Sequence, residues 1–277
     1  MASVTANNDD HHRTYAEVLD DRDHHSPPPE QQQQQSNGHY HQEESEHEPL
    51  LGNPGSALQK PNSPMYKNLI LGTGFLALLG SLLLPISVLG IVLTHKVIPL
   101  VSPHLILQSL ATSTLVLAIL LLQPTSFSNP DAKKTAAKWH ALLQILSFLL
   151  FTAGVTIIEV NKHVNGMLHF HSAHAVFGII TYAILVVQYL FGFTIYVTPK
   201  IWGQSGERAK SLYKYHRYVG YLLLILVLVT VSAANWTDYV RKFLELPRFV
   251  FPLATGLIVV GVFPRVQKTK LGYVRVR

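Results

Sequence analysis

FHSAHAVFGIITYAILVVQYLFGFTIYV, residues 170–197, runs for 28 residues without one Asp, Glu, Lys or Arg. A helix rises 1.5 Å per residue, so about 20 apolar residues cross the roughly 30 Å of hydrocarbon in a bilayer. The stretch reads as a transmembrane helix that opens among histidines. Working outward, similar apolar segments lie at 69–93, 105–122, 140–158 and 218–236, with a shorter one holding Pro252 at 249–263. The sixth is the weakest of them and is compatible with a tilted or re-entrant piece. The expected fold class is an all-α membrane protein, a six-transmembrane-helix bundle.

Composition agrees. Charged residues make up 14% of the 277-residue chain, against about a quarter in a typical soluble domain. Cysteine is absent, which excludes disulfides, thiolate nucleophiles, iron–sulfur clusters and cysteine-ligated zinc. Redox chemistry would have to ride on a bound cofactor.

The net charge of +6 hides a split. Residues 1–59 hold eleven acids against Arg13 and Arg22, whereas the remainder holds twenty Lys/Arg against five acids. The first 64 residues include Gln31–Gln35, Pro27–Pro29 and seven histidines at spacings that match no closed metal site. Such a stretch buries too little apolar surface to offset its chain entropy and is expected to be disordered. No basic region precedes an apolar one near Met1, so no cleaved signal peptide is expected. The expected organisation is a disordered cytosolic tail at 1–64, a six-helix domain at 65–264 and a short basic cytosolic tail at 265–277.

Flanking charges orient the spans. One side collects fifteen Lys/Arg, among them Lys60, Lys67, Lys133, Lys134, Lys138, Lys200, Lys210 and Arg217. The other has Lys96, Lys162, Arg241, Lys242 and Arg248. Both termini are therefore expected in the cytosol. The sequon Asn235-Trp236-Thr237 then falls outside, too close to the bilayer for expected glycosylation.

Eight histidines lie past the tail: His95, His104, His140, His163, His169, His171, His174 and His216. His104, His140, His174 and His216 each fall near the start of one of four consecutive spans. Successive spans alternate in direction, so His104 and His174 are expected at one depth near the outer face. His140 and His216 are expected at another depth near the cytosolic face. One imidazole from each of two facing helices is the arrangement that axially ligates a haem iron. Gly178 and Gly220 follow two of these histidines by four residues and share their helix faces, leaving room for a flat macrocycle. Gln108 and Gln144 place an amide at the corresponding position after the other two. Small and amide residues also serve ordinary helix packing in membranes. His171 shares a face with His174 and is an alternative ligand, disfavoured by Gly178; His95 reads as interfacial.

Three motifs carry a family resemblance. Lys138-Trp139-His140-Ala141-Leu142-Leu143-Gln144, His171-Ser172-Ala173-His174-Ala175-Val176-Phe177-Gly178 and Tyr215-His216-Arg217-Tyr218-Val219-Gly220 resemble the third-, fourth- and fifth-helix starts of the cytochrome b561 family. The resemblance covers about residues 66–264. It implies two b-type haems and electron transfer from cytosolic ascorbate to monodehydroascorbate or a ferric chelate beyond the membrane. It also implies that Lys134, Lys138 and Lys210 bind ascorbate and that His163 meets the outer substrate. The family's aromatic residue before the fourth-helix histidine is replaced around His171-Ser172. As positive-inside anchors the same lysines would need no ligand.

The expected activity is that of a transmembrane ascorbate-dependent oxidoreductase, with no side chain assigned to a catalytic role of its own. The rival is a transporter or proton relay that uses intramembrane histidines without haem. A relay should also carry carboxylates inside its spans, and none of Asp131, Glu159, Glu207, Asp238 and Glu245 lies deep in one. The expected surroundings are a lipid bilayer and small redox molecules, with no nucleic acid. The sequence leaves a homodimer open.

Overall fold

The protein is described here from a computed structural model that covers residues 57–94, 97–126, 129–203, 206–244 and 247–271. The expectations for residues 1–56 and for His95 lie outside the described residues. Six helices follow in order: α1 (Gly74–Thr94), α2 (Val101–Leu122), α3 (Pro130–Val164), α4 (Ala173–Tyr196), α5 (Glu207–Ala234) and α6 (Val250–Val262). No strand occurs among the described residues. The first five are long and apolar enough to cross a membrane, and α6 continues as a short apolar helix to Arg265. The protein is a multi-pass membrane protein.

Two helix starts differ from the hydropathy reading. α3 begins at Pro130, ten residues before His140, because Asn129 caps it by accepting the Ala132 N–H at 3.1 Å and Pro130 suits the first turn. α5 begins at Glu207, after Gly206 in a left-handed conformation at φ 65°. Both extensions are polar, so they carry no hydrophobic signal although they are helical.

Helices α2 and α3 pack closely as one hairpin, and α4 and α5 as another. The two hairpins touch each other sparingly. They are tied by the Tyr182 hydroxyl donating to Thr152 Oγ1 at 3.1 Å and by Phe148 stacking on Tyr189 at 4.3 Å. The Gln123 amide adds a bond to the Tyr221 hydroxyl at 3.3 Å. Helix α1 packs on α2, and α6 packs along α1, where Gly261 lies directly against the Ala77 backbone. Any side chain at 261 would force these helices apart. Leu142, Leu146 and Leu149 of α3 and Val187 and Leu190 of α4 are exposed, as lipid-facing residues should be.

Ordered packing extends past both expected domain boundaries. Gln59, assigned to the disordered tail, is buried; its N–H donates to the Pro124 carbonyl at 2.9 Å, and Asn68 donates to its side chain at 3.3 Å. Arg265, assigned to the C-terminal tail, is only 2% exposed. Its Nη2 donates to the Asn68 carbonyl at 2.7 Å and the Leu120 carbonyl at 3.4 Å, tying the segment before α1 to the ends of α2 and α6. Polar contacts to helix-end carbonyls, not apolar burial, hold these segments.

Candidate functional site

The four paired histidines meet across the gap between the hairpins. His104 of α2 faces His174 of α4 with ring centroids 6.3 Å apart and planes at 80°. His140 of α3 faces His216 of α5 with centroids 6.5 Å apart and planes at 87°. Rings from helices that run the same way thus lie side by side.

That spacing fits an iron between each pair. A ligating imidazole nitrogen sits about 2 Å from its metal and the ring centre about 1.2 Å further back, so bis-imidazole ligation places the centroids roughly 6.4 Å apart. Nor do the histidines gather for a bare ion. Among the described residues no three His, Asp or Glu side chains converge, whereas haem brings four nitrogens of its own and asks the protein for two. The His104–His174 pair opens into a cleft lined also by Gln108, Phe151, Gly178, Leu185 and Val227. Its walls are mostly apolar, as a macrocycle requires.

Each ring is oriented from within its own hairpin. His104 Nδ1 donates to the Gly154 carbonyl at 2.8 Å, His140 Nδ1 to the Ala118 carbonyl at 3.0 Å, and His174 Nδ1 to the Thr230 carbonyl at 2.8 Å. A carbonyl only accepts, so each of these Nδ1 atoms carries the proton and Nε2 keeps its lone pair, the tautomer that ligates metal. His216 differs. Its Nδ1 lies 2.9 Å from the Gln188 side-chain amide, which also donates to the His216 carbonyl at 2.7 Å.

A single interval relates ligand and support on every helix. His104 and Ala118 are 14 residues apart on α2, His140 and Gly154 on α3, His174 and Gln188 on α4, and His216 and Thr230 on α5. Fourteen residues are nearly four turns, which return to the same face about 21 Å along the axis. Each helix therefore supplies a ligand at one depth and orients the opposite ligand at the other.

The remaining expected residues fall into place unevenly. Gly178 lines the cleft beside His104 and His174. Gly220 makes room for Gln188, whose Nε2 would lie 3.3 Å from an added Cβ. The close approach that the sequence did not flag is Gly192, where a Cβ would stand 2.7 Å from His216 Cε1. Gln108 lines the His104–His174 cleft and donates to the Phe151 carbonyl at 3.2 Å, beside Gly154. Gln144 is only half-buried.

Lys134, Lys138 and Lys210 are exposed on the helical extensions that precede His140 and His216. Lys134 and Lys210 each stand six residues before their histidine. Lys270 donates to the Gln123 carbonyl at 2.8 Å, and Arg217, next to His216, donates to the Lys270 carbonyl at 2.5 Å. Burial, and then the charges of Arg217, Lys133 and Arg265, push the Lys270 ammonium down to about 7.

At the opposite end, His163 is exposed on the last turn of α3 and outside the cleft lining. His171 is exposed too, while His174 turns inward. His169, given no role from sequence, pairs with Glu159 at 2.6 Å, and Glu159 also holds Lys162 at 2.6 Å. The sequon residue Asn235 is buried, with its amide donating to the Arg248 carbonyl at 2.5 Å.

Comparison with known proteins bears on the same helices. A family model for eukaryotic cytochrome b561 matches residues 103–237, the stretch that contains all four paired histidines. Through that segment the chain is similar to the cytochrome b561 family. It is 29% identical over 131 residues to a lysosomal membrane ascorbate-dependent ferrireductase of Rattus norvegicus, covering 44% of this chain and 50% of that protein. It is 25% identical over 100 residues to a transmembrane ascorbate-dependent reductase of Bos taurus, covering 36% of this chain and 38% of that protein. The match thus spans half or less of these relatives. The b561 segment corresponds to α2–α5, and α1 and α6 flank it.

Proposed function

We propose that this protein carries electrons across a membrane through two b-type haems, one held by His104 and His174 and the other by His140 and His216. The observation that carries the reading is the pair of ring separations, 6.3 and 6.5 Å, at two depths of one bundle. Haem, when bound, supplies one-electron chemistry by cycling its iron between ferric and ferrous states.

The chain's own groups do the rest. The carbonyls of Ala118, Gly154 and Thr230 hold three rings in the ligating tautomer. Lys134, Lys138 and Lys210 concentrate and orient ascorbate, an anion near neutral pH, at the cytosolic face. His163 is the side chain assigned to the acceptor, monodehydroascorbate or a ferric chelate, on the far side. Both termini are assigned to the cytosol by the fifteen-to-five charge asymmetry.

A pyridine-haemochrome assay on the purified protein should give two haems per chain, and ascorbate should reduce them. One haem or none per chain would reject the two-site reading. Protease treatment of sealed right-side-out vesicles should spare an N-terminal tag, and its loss would reverse the orientation.

A further inference from the structure

The four ligand supports are not equivalent. Three are backbone carbonyls, which no side-chain substitution removes. The fourth, at the position equivalent by the 14-residue interval, is the side chain of Gln188. Two neighbours make its approach possible. Gly220 leaves space for the amide, and Gly192, one turn after Gln188 on α4, lets the His216 ring close against the helix.

A ring that ligates through Nε2 must carry its proton on Nδ1, and that proton needs an acceptor. The Gln188 amide is the one polar group that meets His216 Nδ1 among the described residues, at 2.9 Å. In the orientation seen, one atom, Nε2, faces both His216 Nδ1 at 2.9 Å and the His216 carbonyl at 2.7 Å, so the amide donates. A half-turn of the amide offers Oε1 to Nδ1–H instead; it gives up the bond to the carbonyl, from which the oxygen must draw back.

Resting on the haem reading above, we propose that Gln188 is the positioning residue that accepts the His216 Nδ1 proton when iron is bound, and that residue 188 thereby sets the potential of the inner haem independently of the outer one. A group that accepts from Nδ1 makes the imidazole a stronger donor to the metal. A stronger donor favours ferric iron and lowers the potential.

The test is a pair of variants with potentiometric titration of both haems, each sample assayed for haem content. The inner wave is identified as the one lost in His140→Ala. Gln188→Met keeps the bulk and removes the acceptor, so the inner potential should rise. Gln188→Glu offers a stronger acceptor and a negative charge, so it should fall. Each shift should reach about a tenfold change in the ferric-to-ferrous ratio, ~59 mV for one electron, with the outer wave unmoved. Two haems retained in Gln188→Met with both waves unmoved, or both displaced alike, would reduce Gln188 to packing and overturn the proposal. Should Gln188→Glu fail to hold its inner haem, Gln188→Met decides alone. Absence of haem from the wild-type protein would reject the parent reading instead.

Discussion

The two sites, outer and inner in the orientation proposed above, share one rule and differ in how the chain surrounds them. At both, two histidines from opposite hairpins meet about 6.4 Å apart, and each ring is oriented from 14 residues along the neighbouring helix. His104 and His174 sit in the first turn of their helices, so the outer site lies just beneath its surface. His140 and His216 lie ten and nine residues in, and α3 and α5 project roughly 14 Å beyond them carrying lysines. A common geometry therefore sits beneath two different helix ends, one that stops at the histidines and one that projects past them carrying exposed lysines. Ligation needs only matched depth and facing helices, so the ends of the helices were free to diverge.

The sharpest way to break this comparison is to remove one ligand. His140→Ala should abolish the inner haem and leave most of the outer one, and His104→Ala should do the reverse. Identical residual spectra from the two variants would mean that the histidines do not divide as paired here.

A smaller but more specific effect is expected at Gly192. A methyl there meets His216 Cε1 at 2.7 Å, so Gly192→Ala must push the ring off its axis. Loss of a support around a metal ligand weakens binding by about 10–100-fold. The Kd of the inner haem should rise by that order in haem titration of the apoprotein, with that of the outer haem unchanged. Equal loss at both sites would point to misfolding of α4.

The role of the projecting lysines is tested by rate. Neutralising Lys134, Lys138 and Lys210 to Gln should slow ascorbate reduction at low salt by about tenfold, the lower end of electrostatic steering. Stopped-flow traces should converge with wild type as salt rises and the Debye length shrinks. An unaltered low-salt rate would leave these lysines as topology anchors.

The smallest effect concerns stability at the inner end. Lys270 lies at about 7 in the folded protein, below its ordinary 10.5. Between these values the unfolded chain binds more protons than the folded one, so stability should rise as pH climbs from 7 towards 10. Thermal unfolding in detergent should show this slope, and Lys270→Met should flatten it. A slope unchanged in Lys270→Met would assign the pH dependence elsewhere.

Much of the bundle was legible because membrane insertion writes itself into hydropathy. The four paired histidines stood out by their places at span starts, with Gly178 favouring His174 over His171, and their pairing followed from the alternating direction of the spans. The true start of α3 was also present, as the cap and first turn Asn129-Pro130-Asp131. Hydropathy passed over it because the next two turns are polar. Gly178 and Gly220 were picked out by spacing along their own helices, but a close approach is decided by the neighbouring helix. That is why Gly192, with nothing beside it in sequence to mark it, escaped notice.

By itself, then, the sequence determined the five long spans, which of them carry the paired histidines and at what relative depth, because burial in lipid and a fixed rise per residue leave little choice. Only the tertiary structure decided what stands behind each ligand. Ala118, Gly154 and Thr230 act through carbonyls that every residue has, so their side chains announce nothing. Gln188 becomes a partner only when α4 and α5 lock into one register with Gly192 and Gly220 at the contact. Contacts across a helix pair depend on rotation and spacing of the whole pair, and no local stretch of the chain encodes either.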